Sequence, residues 1–174
     1  MTDKRARVLI PSGALGIGFD EAAFEKGLAQ QPDIIAIDGG STDSGPHYLG
    51  TGTAKYARST IKDEWRVLMQ ARARLGVPLL IGTAGTCGAD TAVDWMVEIT
   101  RELALELGQS IKVAVLKSGQ DPEQISQALS DGKIRPLEPV LPIEAGLVEA
   151  CTNIVALAGA EQIQAALNTG ADIV

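Results

Sequence analysis

The chain has 174 residues, 45% of them hydrophobic and 21% charged, with a net charge of −7. That length suits one domain (residues 1–174) with a sizeable core, and the balance excludes intrinsic disorder. The acidic charge argues against nucleic acid or an anionic membrane surface as the main partner, because both need a basic face, but it leaves room for an anion held by backbone amides.

Val8–Ile10 reads as a first strand, stopped by Pro11-Ser12-Gly13, and Ala14–Phe19 as a loop. Asp20 is a good helix N-cap for Glu21–Gln30, where Phe24 and Leu28 share one face. Gln31-Pro32-Asp33 ends that helix. Ile34–Ile37 is a short continuous apolar run that breaks into Asp38, Gly39 and Gly40 and then a polar stretch to Gly52, which holds the only histidine, His47. Ser59 or Thr60 is expected to cap the next helix, with Ile61, Trp65, Leu68, Met69 and Leu75 on its stripe and Gly76 as its stop. Val77–Ile81 is a third strand. The glycine-rich loop from Gly82 to Gly88 then opens into a helix at about Asp90, with Val93, Met96, Val97, Thr100, Leu103 and Leu107 inward.

Ile111–Leu116 is a fourth strand, and Asp121-Pro122 starts another helix with Asp as cap and Pro at the first helical position. Gly132–Pro142, with three prolines and no periodicity, reads as irregular. Glu144–Ala150 reads as a short helix, Asn153–Leu157 as a strand and Ala160–Asn168 as a helix with Ile163, Ala166 and Leu167 inward. Ala171–Val174 begins one more strand, which leads us to expect a longer natural protein or a partner subunit that continues the sheet. Strands alternating with amphipathic helices predict an α/β fold: a three-layer, doubly wound, mostly parallel sheet (Rossmann-like) with helices on both faces. Two cysteines, Cys87 and Cys151, are too few for a disulfide framework and point to a reduced, cytoplasmic protein. No stretch resembles a signal peptide or approaches the roughly 20 apolar residues that span a bilayer.

In such a sheet the loops after each strand converge on the carboxyl edge, where open α/β sheets hold ligands. The converging candidates are Ser12 and Gly13 after the first strand, Asp38, Gly39, Gly40, Ser41, Thr42, Asp43 and His47 after the second, then Gly82, Thr83, Gly85, Thr86 and Cys87 after the third, and Lys117 and Ser118 after the fourth. Asp38, partly desolvated at a strand end, suits acid–base work, or else caps its own turn. His47 is a candidate base, or a solvated loop histidine. The Gly82–Asp90 loop suits a carboxylate or phosphate, with Lys117 as a partner for a small anionic substrate; the alternative is a tight strand-to-helix turn. Its glycines match neither a Walker motif nor a dinucleotide fingerprint. Cys87 is more simply a packing residue than a nucleophile. One histidine among scattered carboxylates makes a poor metal set, so no metal site is assigned and no cofactor is specified. The Asp38–Gly52 segment is expected to be a long irregular loop.

The motifs IAIDGGSTDSGPHYLGTG, PLLIGTAGTCGAD, KIRPLEP and NTGADIV resemble, in this order, the N-terminal region of the acyclic terpene utilisation (AtuA-like) family. The resemblance implies a bacterial catabolic enzyme acting on a branched carboxylic acid or its acyl-CoA thioester, of hydratase or lyase type, working as a homo-oligomer or with a companion domain or subunit. It places Asp38, Ser41, Thr42, Asp43 and the loop glycines in the family's motifs, and Cys87 where a smaller residue is expected. A non-catalytic ligand-binding or scaffold domain is the competing reading.

Overall fold

The computed structural model describes residues 5–40, 46–139 and 143–174. Three parallel strands, β1 (Val8–Leu9), β2 (Ile34–Asp38) and β3 (Leu79–Gly82), lie in the order β1-β2-β3. Ile35 pairs with Leu79 and Asp38 with Gly82, so the two apolar runs stop in step at the same edge. Helices join the strands: α1 (Glu21–Leu28) follows β1, α2 (His47–Thr51) and α3 (Arg58–Leu75) follow β2, and α4 (Asp90–Glu106) follows β3. Beyond these lie α5 (Pro122–Ser130), α6 (Ala145–Glu149) and α7 (Ala160–Asn168).

Two short segments carry the parallel ladder past β3. The amide of Leu79 donates to the carbonyl of Asp172 and that of Ile81 to Val174, each at 2.9 Å, while Ala114 donates to Ile173 at 2.9 Å. Residues 172–174 therefore lie between β3 and residues 112–114, with Ile173 bridging both Leu79 and Val113. Arg72 of α3 holds this insertion from outside, through an ion pair with Asp172 at 2.7 Å and a bond to the Val77 carbonyl.

Successive residues of a strand point to opposite faces, and the core divides accordingly. Ile35, Ile37, Leu79 and Ile173 face α1, α3 and α4, where they bury Phe24, Leu28, Trp65, Leu68, Met69, Met96, Ile99 and Leu103. Leu80, Ala114 and Val174 face the other way, against Ala166 and Leu167 of α7. Helices thus occupy both faces, but unevenly. The continuous apolar runs imply strands covered on both sides, yet Val8 is 53% exposed, and Ile34 and Ala36 beside it are only half-buried. Among the described residues, α7 covers only the end of that face around 172–174.

Local chemistry set most helix ends as expected. Asp20 accepts from the Ala23 amide at 2.7 Å, Asp121 accepts from Glu123 and Gln124 with Pro122 in the first turn, and Gly76 is left-handed at φ 67°. Three expectations are corrected. The helix α3 begins at Arg58 behind Ala57 with no side-chain cap, so neither Ser59 nor Thr60 serves. Asn153–Leu157 does not join the parallel sheet; it pairs antiparallel with 118–120, where Gln120 donates to Ile154 and Ala156 to Ser118. The segment expected to be irregular to Gly52 contains α2, which closes on a left-handed Gly52 and is held by Asn153 donating to the Leu49 carbonyl at 2.7 Å. No described helix is long and apolar enough to cross a membrane.

Candidate functional site

The loops at the carboxyl edge are joined by their backbones. The Leu15 amide of the loop after β1 donates to Asp38 at 2.7 Å. Gly39 donates to Gly82, and Thr86 returns a bond to Gly39 at 3.0 Å. Lys55 donates to the buried Thr86 hydroxyl at 3.1 Å. The two glycines after β2 exist for this approach. A Cβ on Gly40 would lie 2.0 Å from the Thr86 Cα, and one on Gly39 would lie 2.7 Å from the Gly82 carbonyl oxygen. Gly-Gly at a strand end here marks close packing of backbone on backbone.

The loop after β3 is wound tightly. A 3-10 turn (Ala84–Thr86) follows β3, and Thr83, Gly85, Thr86 and Gly88 have φ of 50°, 65°, 79° and 65°. Glycine adopts this region freely, but two β-branched threonines do not, and each costs roughly 1–3 kcal/mol. Gly85 serves contact as well as φ, since a Cβ there would press on Ala92 of α4 at 2.7 Å. Three amides of this loop are already committed inside the protein: Thr86 to Gly39, and Cys87 and Gly88 to Ala84.

Beside this loop opens a cavity of about 670 Å³, within the range of small-molecule sites. Its walls are Leu80 and Ile81 of β3, Val93, Met96 and Val97 of α4, residues 113–116, residues 155–158, Ile163 of α7 and Ile173–Val174. Tyr48 and Leu49 of α2 stand at one side. The polar lining consists of hydroxyls and a thiol, from Tyr48, Thr83, Thr86, Cys87, Thr100 and Ser118. Every described side chain in the lining is uncharged.

The expected site residues divide around this cavity. Gly82, Thr83 and Thr86 line it, as does Cys87. Gly39, Gly40 and Gly85 build the frame without lining it. Asp38 is exposed, not partly desolvated as expected: β2 ends at the open edge of the sheet, and the Asp38 carboxylate accepts from the Gly40 amide at 3.0 Å, capping its own turn. His47 is exposed in the first turn of α2, its ring edge-on to Tyr48 at 5.1 Å. Lys117 is exposed and bonded to Asp94 at 2.8 Å, and that hydrogen bond holds its pKa above the ordinary 10.5. Ser41, Thr42 and Asp43 lie outside the described residues.

The electrostatics at the start of α4 are acidic. Asp90, in the first turn, accepts from the Gly119 amide at 3.0 Å, and Asp94 holds Lys117. Carboxylates already occupy the surroundings of the positive helix end. Among the described residues, no group of three or more His, Cys, Asp or Glu side chains is placed to hold a metal ion.

The helical pattern turns Val93, Val97 and Ile163 inward, and Val93 does pack on the core, but nothing in the pattern singles out the Val155–Leu157 wall. One signal was readable. The apolar stripe of α4 is wider than one contact needs: Ile99 and Leu103 fill the core, Met96 and Val93 touch both core and cavity, and Val97 lines the cavity. No protein-family model matches the chain, and no curated protein or solved structure does either.

Proposed function

We propose that this chain binds the branched hydrocarbon part of a small carboxylic acid, presented as the acid or its acyl-CoA thioester, within a catabolic enzyme of hydratase or lyase type. The observation that carries the reading is the cavity of about 670 Å³ at the carboxyl end of β3, walled by aliphatic side chains and edged by hydroxyls. Methyl branches fit a cavity walled by Val, Leu, Ile and Met, and burying them supplies most of the affinity. Thr83 at the mouth is held in a strained conformation, a common mark of a ligand clamp. The likeness of four motifs to AtuA-like proteins supports the same substrate class. In this reading the fold is part of a three-layer, doubly wound, Rossmann-like unit. The exposed Val8 and Ile10 support a second copy or companion domain over that face, and two unpaired cysteines suit the cytoplasm.

Asp38 and His47, at the rim, are the groups we assign to proton transfer. Their exposure, outside the cavity lining, favours a second reading in which the chain binds ligand without catalysis. Titration calorimetry with the CoA thioesters of dimethyloctanoic and octanoic acids tests the main reading. The branched thioester should bind more tightly, and Val97→Trp, which fills the cavity, should abolish binding. Equal affinity of the Val97→Trp protein would remove the cavity from consideration. Turnover of the bound thioester then separates the two readings: Asp38→Asn lowers it by about 10²-fold or more if Asp38 moves a proton, whereas an unchanged rate supports binding alone.

A further inference from the structure

We infer that the head group entering this cavity is uncharged, so that the chain takes its ligand as a thioester or other neutral acyl derivative and not as a free carboxylate. The inference rests on the binding reading above and specifies its substrate. Three observations lead to it. First, every described side chain in the lining is neutral. Second, the loop that most resembles an anion cradle has committed its amides at Thr86, Cys87 and Gly88 to the carbonyls of Gly39 and Ala84. Third, Asp90 and Asp94 put carboxylates near the start of α4, Lys117 is already paired with Asp94 at 2.8 Å, and the Lys55 ammonium, whose residue adjoins Thr86, lies over the Tyr56 ring.

A carboxylate in such surroundings leaves water with no charged partner among the described lining side chains, and it meets like charge near the start of α4. A neutral carbonyl has no such difficulty. The Thr86 hydroxyl already accepts from Lys55, and that of Thr100 is used between Trp65 and Met96. The hydroxyls of Thr83 and Ser118 make no hydrogen bond to the described residues, and either can donate to a carbonyl oxygen.

The test is calorimetric titration of the full chain with dimethyloctanoic acid and with its N-acetylcysteamine thioester, which carries no charge, between about pH 5 and pH 7. The thioester should bind at least tenfold more tightly than the acid at pH 7, with affinity independent of pH. The acid should gain about tenfold per pH unit on acidification, because its protonated fraction rises by that factor. An acid that binds as tightly as the thioester at pH 7, or weakens as pH falls, overturns the inference and leaves the cavity reading intact. Failure of both to bind overturns the cavity reading and this inference together.

Discussion

Replacing Gly40 by alanine tests the backbone junction that frames the site. The added Cβ would stand 2.0 Å from the Thr86 Cα, 2.7 Å from its Cβ and 2.9 Å from its Cγ2, whereas real Cβ contacts essentially never fall under 3.0 Å. The nearest obstacle is backbone, so no rotamer change relieves it, and the two loops must part by about 1 Å. The Thr86–Gly39 hydrogen bond, now 3.0 Å, would then pass out of bonding range. Overpacking of this kind costs about 1–3 kcal/mol, and a lost hydrogen bond adds about 1. We expect a destabilisation of about 3 kcal/mol, read in urea as a midpoint lowered by about 1.5 M at unchanged slope. In a thermal scan the same change lowers Tm by roughly 6–12 °C for a chain of this size. Gly50→Ala is the control. Gly50 lies in α2 and a Cβ added there meets nothing within 4 Å, so alanine should leave stability within about 0.5 kcal/mol or raise it slightly. Coincident midpoints for the two variants would refute the reasoning that these glycines serve close approach.

Thr100→Val should cost about 1–3 kcal/mol, because it leaves the buried Trp65 indole N–H, which now donates to the Thr100 hydroxyl at 2.9 Å, without a partner; thermal denaturation beside a Thr100→Ser protein measures it. Thr83→Gly should stabilise the fold by about 1 kcal/mol by relieving its positive φ, while weakening ligand binding at the mouth; a gain in both would contradict a clamp. Acid stability should depend on the lattice between α3 and α4, where Arg58 and Lys62 hold Glu102, and Lys62 and Arg66 hold Glu106. The Arg58 hydrogen bond, then that from Lys62, lowers the Glu102 pKa from 4.5 to about 2. Its contribution is therefore present above about pH 4.5 and lost as pH falls through about 2. Glu102→Gln should narrow the difference in Tm between these two pH values, and added salt should narrow it further.

Features governed by neighbouring residues were readable from the chain. Asp20 and Asp121 cap, and Gly76 turns left-handed, because each acts on amides or dihedrals within a few residues. Partner choice was not readable. Asn153–Leu157 has the composition of a strand, but nothing in it says that 118–120 will be its neighbour. The helix α2 has a poor helical sequence, His-Tyr-Leu-Gly-Thr, and is fixed from more than a hundred residues away by Asn153. Burial depth was equally hidden. Asp38 ends an apolar strand, yet its side chain stands in the open because the sheet stops there. Gly39 and Gly40 stood out from the sequence only as site candidates; that they serve close approach to Gly82 and Thr86 depends on a neighbour more than forty residues away.

The place of residues 172–174 between β3 and 112–114 separates the order of synthesis from the order across the sheet. A ribosome delivers β1, β2 and β3 with their helices as a run of adjacent neighbours, which can assemble as they emerge. The segment at 112–114 must wait until some sixty further residues have been made, since its parallel partner is Ile173. Until then the exposed side of β3 is an unsatisfied edge, and the cavity lacks the wall that Ile173 and Val174 supply. Ligand competence should therefore appear only once residues 172–174 have been made, in one step with the Arg72–Asp172 ion pair that fastens the insertion.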